Sequence, residues 1–480
     1  MRKRFLTGLF CIALYAAIQA QIPDLKSRLI RDIDDQSEQL IRMSDEIWSL
    51  AETAFEEHQS SEILASYAEQ MGMRVQRGVA DIPTAFIASY GSGKPIIGIL
   101  GEFDALPGVS QKTLPEKAPL KDGAPGHGCG HNMFGAGSMG AAVAIKHLIE
   151  SGDLQGTVRF YGTPAEEKYF GKLYMARAGL FDDLDVCLDW HPGAQIKAVV
   201  QSNLALVDFQ VEFFGQSAHA ALDPWNGRSA SDGLEIYTVG INYLREHVKP
   251  SVRIHYHTEQ SGSVANIVPD YARIWTRVRD NSLQGMLSVY ERVKEIARGA
   301  AIIASVDYKI SLMSGLHEIL VNRTGGAILQ KNLEALGPIR YTEEELAFAR
   351  TLQESTGQPK EGIDGNIYPL EETHTIMEGA SSDVGDVSWI VPEIQLSVTT
   401  APLGTPWHSW AVVACGGMSI GHKGLIYAAK ALGMTMVDLL NEPDVIDRIE
   451  AEFRERRADI PYEPLLPEGP PPIPVDNMKG

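Results

Sequence analysis

The chain has 480 residues, 44% hydrophobic and 22% charged, the balance of a soluble globular protein long enough for two domains or for one with an insertion. Its formal charge is −20 and its pI is near 5.1. So acidic a surface repels phosphate backbones and argues against nucleic acid as a partner.

Met1-Arg2-Lys3-Arg4 and the apolar run from Phe5 to Ile18 read as a signal peptide over 1–20, with a small-residue cleavage site ending at Ala20. The run is short for a transmembrane helix. The expected location is therefore outside the cytoplasm, periplasmic or secreted, with no membrane attachment after cleavage. Beyond the leader the cysteines are Cys129, Cys187 and Cys415. An odd count does not make a disulfide framework. Cys187 lies in an apolar run and reads as a buried, inert thiol.

Helical periodicity marks 24–57 and 60–74. Apolar runs at Thr84–Tyr90 and Pro95–Gly101 read as strands, and Asn132–Glu150, rich in Ala, Gly and Met, as a buried helix. A strand (Thr157–Gly162), a helix (170–179) and a strand (Asp185–Trp190) follow. This alternation predicts an α/β fold, a mixed or parallel sheet flanked by helices, over 21–202. The segment 203–315 changes to a β-α-β-β-α-β order, a ferredoxin-like α+β insert serving as lid or dimerisation domain. Helices at 324–336 and 343–355, a strand at Ile394–Val398 and a helix near 421–440 return to the first domain over 316–460. The proline-rich tail, 461–480, predicts no regular structure, either a surface arm or a disordered end.

Gly126-His127-Gly128-Cys129-Gly130-His131-Asn132 packs one thiol and two imidazoles into a loop whose glycines let side chains turn inward. Such donors suit zinc and its neighbours. A structural zinc site usually takes four Cys/His ligands at C-x-x-C spacing, whereas this is C-x-H with no second Cys pair. Downstream, Glu166-Glu167 follows the strand Thr157–Gly162, where an α/β sheet places its active site. One of the two carboxylates suits a metal and the other a proton transfer. His191 in Trp-His-Pro ends another strand, and His408 lies in a loop after a third. These features predict a hydrolytic metal centre.

With Gly101-Glu102-Phe103-Asp104-Ala105-Leu106, Gly-Gln-Ser-Ala-His-Ala at 215–220 and Ser382-Asp383-Val384-Gly385-Asp386-Val387-Ser388-Trp389, the motifs are jointly specific. The chain resembles the di-metal amidohydrolases that include aminoacylases, hippurate hydrolases and plant auxin-conjugate hydrolases. Within them it is most similar to the B-type subunits of p-aminobenzoyl-glutamate hydrolases. Asn132, where many relatives carry Asp, fits that type. The resemblance implies that Cys129, His131, Glu167, His191 and His408 bind two divalent metals, zinc or manganese, with cobalt as a third option. It implies Glu166 as general base, Asp104 supporting the metal site, and His127 as a further support. His219, in the insert, would polarise the scissile carbonyl, in relatives usually across a dimer. Asn266 and Arg279 are weaker candidates for contacting the substrate.

The implied function is cleavage of the amide bond of an N-acyl or N-aroyl amino acid, by a homodimer or by a heterodimer with a related subunit. A dipeptidase or carboxypeptidase, an N-deacetylase, and a non-catalytic metal- or peptide-binding protein are the alternatives.

Overall fold

A computed structural model describes the backbone over 2–373, 375–376 and 380–474, and side chains from residue 24 onward apart from 375, 376 and 443 within those spans. The side chains of the leader read at 1–20 and the last six residues of the tail lie outside the described residues. Among the described residues no helix is long and apolar enough to cross a membrane.

The strands are β1 (Arg74–Arg77), β2 (Phe86–Ser92), β3 (Ile96–Gly101), β4 (Gly156–Gly162), β5 (Val186–Gly193), β6 (Lys197–Val199), β7 (Gln201–Ser202), β8 (Ala205–Phe214), β9 (Arg253–Ser261), β10 (Tyr271–Asp280), β11 (Asp307–Leu316), β12 (Thr375–Ile376) and β13 (Glu393–Thr399). Seven form the larger sheet, in the order β1-β2-β4-β3-β5-β13-β6. Its centre, β4-β3-β5-β13, is parallel, and β1, β2 and β6 join antiparallel at the edges. The near-continuous apolar runs of β3 and β5 are what a parallel sheet covered on both faces requires. A second sheet, β11-β8-β10-β9, is antiparallel throughout. The helices Ala230–Leu244 and Leu283–Ala304 pack on it around a separate core that includes Phe213, Tyr237, Ile274 and Val293. The short strands β7 and β12 pair in parallel.

The helix His131–Glu150 lies across the larger sheet, packed against Ser419–Asn441 and the N-terminal helix Arg2–Leu50. Small residues allow this close fit. A Cβ on Gly135 would stand 2.8 Å from the Glu102 carbonyl oxygen and 3.0 Å from Leu64 Cδ1. Trp190 on β5 fixes the other side, its ring 6.0 Å from that of Phe134 and its Nε1–H donating to the Phe134 carbonyl at 3.2 Å. The start of this helix is thereby held against the ends of β3 and β5.

Three local readings change. The first helix stops at Leu50, not at 57, because Ala51 turns to a φ of 45°. The next residues tie to the site loop instead, with the Ala105 N–H donating to the Glu52 carbonyl at 2.8 Å. The second helix is His58–Gln70, which frees Arg74–Arg77 to pair as an edge strand. The helix Pro443–Arg457 was not foreseen, although proline at its start, Asp444 in its first turn and arginines in its last turn are the usual signals. The described part of the tail is irregular but anchored. Tyr462 lies 5.0 Å from the His317 ring, and Arg177 donates to the carbonyls of Pro467 and Gly469 at 3.2 and 2.8 Å.

Overfilling a tight helix–strand contact costs about 1–3 kcal/mol. Gly135→Val should therefore lower the melting temperature measurably, and an unchanged Tm would show that the contact is loose.

Candidate metal centre

The candidate ligands gather at the carboxyl ends of the four central parallel strands. β3 leads into Glu102 and Asp104, β4 into Glu166 and Glu167, β5 carries His191, and the loop after β13 carries His408. Open α/β sheets bind ligands there.

The glycine loop presents Cys129 and His131 from the start of the helix. Gly130 takes a φ of 80°, and a Cβ on it would meet Pro192 at 2.9 Å and Met133 at 2.8 Å. Only glycine suits both demands. His127 pins the loop from behind, its Nε2 3.0 Å from the Ile47 carbonyl, and burial holds it down at about 4. It is a neutral strut, not a donor to the cluster.

Hydrogen bonds set the imidazole tautomers. His131 Nδ1 bonds Asp104 Oδ1 at 2.8 Å, which turns Nε2 inward. His191 Nδ1 faces its neighbour's carbonyl, Pro192 O, at 3.2 Å, which leaves Nε2 directed at Cys129 Sγ, 3.7 Å away. His408 Nε2 lies 3.5 Å from Glu167 Oε2. His408 also has a φ of 56°, an unfavourable conformation of the kind that clusters at functional sites, and its N–H donates to the Gly128 carbonyl at 3.0 Å.

Three donor sets result: Cys129, His131 and His191; Cys129, Glu167 and His408; and Glu102, His131 and Glu166, with the donor atoms of each set within 4.8 Å of one another. Cys129 belongs to two of them and so can bridge two ions. Glu102 Oε2, His131 Nε2 and Glu167 Oε1 are buried without a hydrogen-bond partner. Buried polar atoms are normally satisfied. A thiolate, imidazoles and carboxylates converging with orphaned lone pairs fit a pair of divalent cations.

The charges agree with that fit. Burial pushes Glu166 well up, and the charges of Glu102, Glu167 and Asp383 add to the shift. Burial raises Glu167 to about 7, against the pull of His131. Burial also raises the Cys129 thiol and lowers His191 to about 4. Burial would lower His131 too, but Glu102, Cys129 and Asp104 hold it well above its ordinary value. The protein alone has more buried acid than base here, and cations would relieve it.

Several residues in this architecture escaped sequence reasoning. Lys172, wholly buried, bonds Glu102 at 2.5 Å and Asp383 at 2.7 Å. Burial opposes the ionised form of Glu102, yet Lys172 and His131 hold its carboxyl far below the usual range. Glu57 accepts from the Ala165 N–H at 2.9 Å and so clamps the strained turn (Ala165 φ 62°) that presents Glu166. Glu102 and Asp383 stood inside recognisable motifs, whereas Glu57 and Lys172 had no local signal.

His219, Asn266 and Arg279 are not part of these donor sets. His219 and Asn266 are exposed on adjoining loops of the second sheet, where His219 bridges to Ile267. Arg279 is half-buried on β10.

Comparison with known proteins places this architecture in a class. Residues 98–408 match the model of peptidase family M20/M25/M40. The chain is 36% identical to the B-type subunit of Escherichia coli p-aminobenzoyl-glutamate hydrolase over 93% of this chain and 99% of that protein. It is 27% identical to a mouse Xaa-Arg dipeptidase over 91% and 93% of the two chains. A solved M20-family dinuclear metal-binding peptidase from Bacillus subtilis superposes with a TM-score of 0.59 at 18% identity, covering 85% of this chain and 99% of that one. The chain therefore belongs to the M20 peptidase family. Within it, the chain is a hydrolase acting on amide bonds.

Burial raises the Cys129 thiol, and Glu102, Cys129 and Asp104 raise His131 against burial, so loading the centre should displace protons. Binding should release at least one proton per chain and weaken as pH falls. Calorimetry in buffers of different ionisation enthalpy reads this directly. Metal binding without proton release would rule out Cys129 as a ligand.

Proposed function

We propose that the chain is an exported, metal-dependent amidohydrolase that cleaves the amide bond of N-acyl or N-aroyl amino acids, with p-aminobenzoyl-glutamate as the model substrate. The observation that carries this is the pair of donor sets sharing Cys129, with Glu166 beside them. The similarity to the Escherichia coli hydrolase over nearly the whole chain supports the substrate class.

Cys129, His131 and His191 would hold one divalent ion, and Cys129, Glu167 and His408 the other. Zinc and manganese both suit this mixture of soft and hard donors, and cobalt is a third candidate. When bound, the ions supply Lewis acidity to the amide carbonyl and lower the pKa of water. Glu166 takes the proton of the attacking water and passes it to the departing amine nitrogen, which must be protonated to leave. Asp104 keeps His131 in the donor tautomer throughout.

His219 completes the site from a second protomer in this reading. Its Nδ1 accepts from the backbone N–H groups of Ala221 and Leu222, both at 3.2 Å, so the ring proton sits on Nε2. That N–H is a ready donor to the carbonyl oxygen of the scissile amide. The protomer partner is a second copy or a related subunit.

The similarity to the Escherichia coli hydrolase supports an acidic product over arginine, and basic residues of the insert would suit one. Arg253 and Arg279 are register partners across β9 and β10, as are His255 and Arg277. Burial holds His255 down, and Arg279, Arg245 and Arg277 add to it. Asn266 and Arg279 are weaker candidates for contacting the substrate carbonyl or carboxylate. A dipeptidase releasing arginine, the activity named for the mouse relative, is the second reading.

Amine release from p-aminobenzoyl-glutamate, N-acyl amino acids and Xaa-Arg dipeptides separates the two. Glu166→Gln should keep its metal and lose about 10²–10⁴-fold in kcat. Full activity would end the general-base assignment. His219→Ala should also lose kcat, and mixing it with Glu166→Gln should restore part of the activity if His219 acts across protomers. Unaltered turnover in His219→Ala would exclude the insert from catalysis.

A further inference from the structure

Glu102 follows β3 directly and is wholly buried. Its two oxygens have different surroundings. Oε1 accepts from the Lys172 ammonium at 2.5 Å. Oε2 lies at ion-pair distance, 3.0 Å, from His131 Nε2, without the alignment of a good hydrogen bond. The opposite nitrogen, His131 Nδ1, is already committed to Asp104 at 2.8 Å. Oε2 and Nε2 therefore face each other, and neither atom has another hydrogen-bond partner. Two donors at right angles on one ion, with bonds of about 2.1 Å, stand about 3.0 Å apart. Oxygen and nitrogen thus have the spacing of neighbouring ligands, and both belong to the donor set completed by Glu166.

Lys172 explains how this carboxylate is aimed. A wholly buried ammonium is costly unless it is paired. This one is paired twice, with Glu102 and with Asp383 Oδ1 at 2.7 Å. Asp383 Oδ2 also accepts the backbone N–H of Lys172 itself, at 2.9 Å. The lysine is held at its backbone and at its tip by one aspartate, so its ammonium has a fixed address. Glu102 Oε1 is bound at that address, which leaves Oε2 only the direction of His131.

We propose that Glu102 is a further metal ligand beside His131, in the donor set it forms with that histidine, and that Lys172 is the positioning residue that aims it. The proposal rests on the reading of the cluster as a metal centre. Its consequence is an ion with one more anionic oxygen than the Cys/His/His set alone supplies. Hard oxygen donors and a higher coordination number favour manganese or cobalt over zinc.

The test is a cobalt(II) titration of the ion-free full-length chain, followed by visible absorption and by competition with a chelator. Wild type should bind two ions. Glu102→Gln keeps the shape and removes the charge, and should weaken one of the two ions by about 10–100-fold, the range seen when a metal site loses a supporting group. The ligand-field bands of that ion should intensify as its coordination number falls, while the other ion is unchanged. Lys172→Met should weaken the same ion. The double variant should be no weaker than Glu102→Gln alone, because the lysine acts through the carboxylate. If Lys172→Met does not fold, Glu102→Gln decides. Two ions bound by Glu102→Gln with wild-type affinity and wild-type spectrum would overturn the proposal. A wild type that binds both ions yet releases no amine from any substrate would sink the functional reading and leave the role of Glu102 standing.

Discussion

The structure depends on an excess of buried negative charge at one end of a parallel sheet. Glu102, Asp104 and Asp383 are fully buried, and Glu166 and Glu167 are largely so. Lys172 and His131 are the cations facing them. Ionised carboxylates at such depth are strongly unfavourable without compensating charge. Lys172 satisfies Glu102 and Asp383, and His131 faces Glu102 and Asp104. Glu166 and Glu167 are left with raised proton affinity, and that is the position two divalent ions would fill. Stability and chemistry are thus coupled at one place, since removing Lys172 or His131 leaves buried carboxylates without a partner.

The fold delivers these groups through rigid parts. Four parallel strands run side by side, and each contributes at or beyond its carboxyl end: Glu102 and Asp104 after β3, Glu166 and Glu167 after β4, His191 near the end of β5, and His408 in the loop after β13. The loops are then locked by contacts distant in sequence: Glu57 to Ala165, His127 to Ile47, and Lys172 to Asp383. Sites held by packed elements and supporting hydrogen bonds keep the precision that catalysis needs. The second sheet has its own core and is joined to the first by β8 and β11. In the proposed reading, it is the part that would bring His219 to a second protomer.

The parts of the site legible in the sequence were those whose donors are dense and local. Cys129 and His131 stand two apart between glycines, Glu166 and Glu167 follow a strand, and His191 ends one. Periodicity located the sheet and the insert for the same reason, because strands and helices impose their period on adjacent residues. What could not be read depends on residues far apart. Lys172 is an ordinary surface residue by composition until Asp383, 211 residues later, and Glu102 enclose it. Glu57 looked like part of an exposed helix end, and the left-handed turn at Ala51 that withdraws it from the helix has no sequence signature. The role proposed for His219 comes from family resemblance alone, because in one chain it is outside the donor sets.

The cluster would hold two ions that share Cys129. Anomalous diffraction from crystals of the zinc- or manganese-loaded protein, collected at the metal edge, tests this most directly. Two peaks are expected, one among Cys129, His131 and His191 and one among Cys129, Glu167 and His408. A single peak away from Cys129, or none in fully loaded crystals, would contradict it.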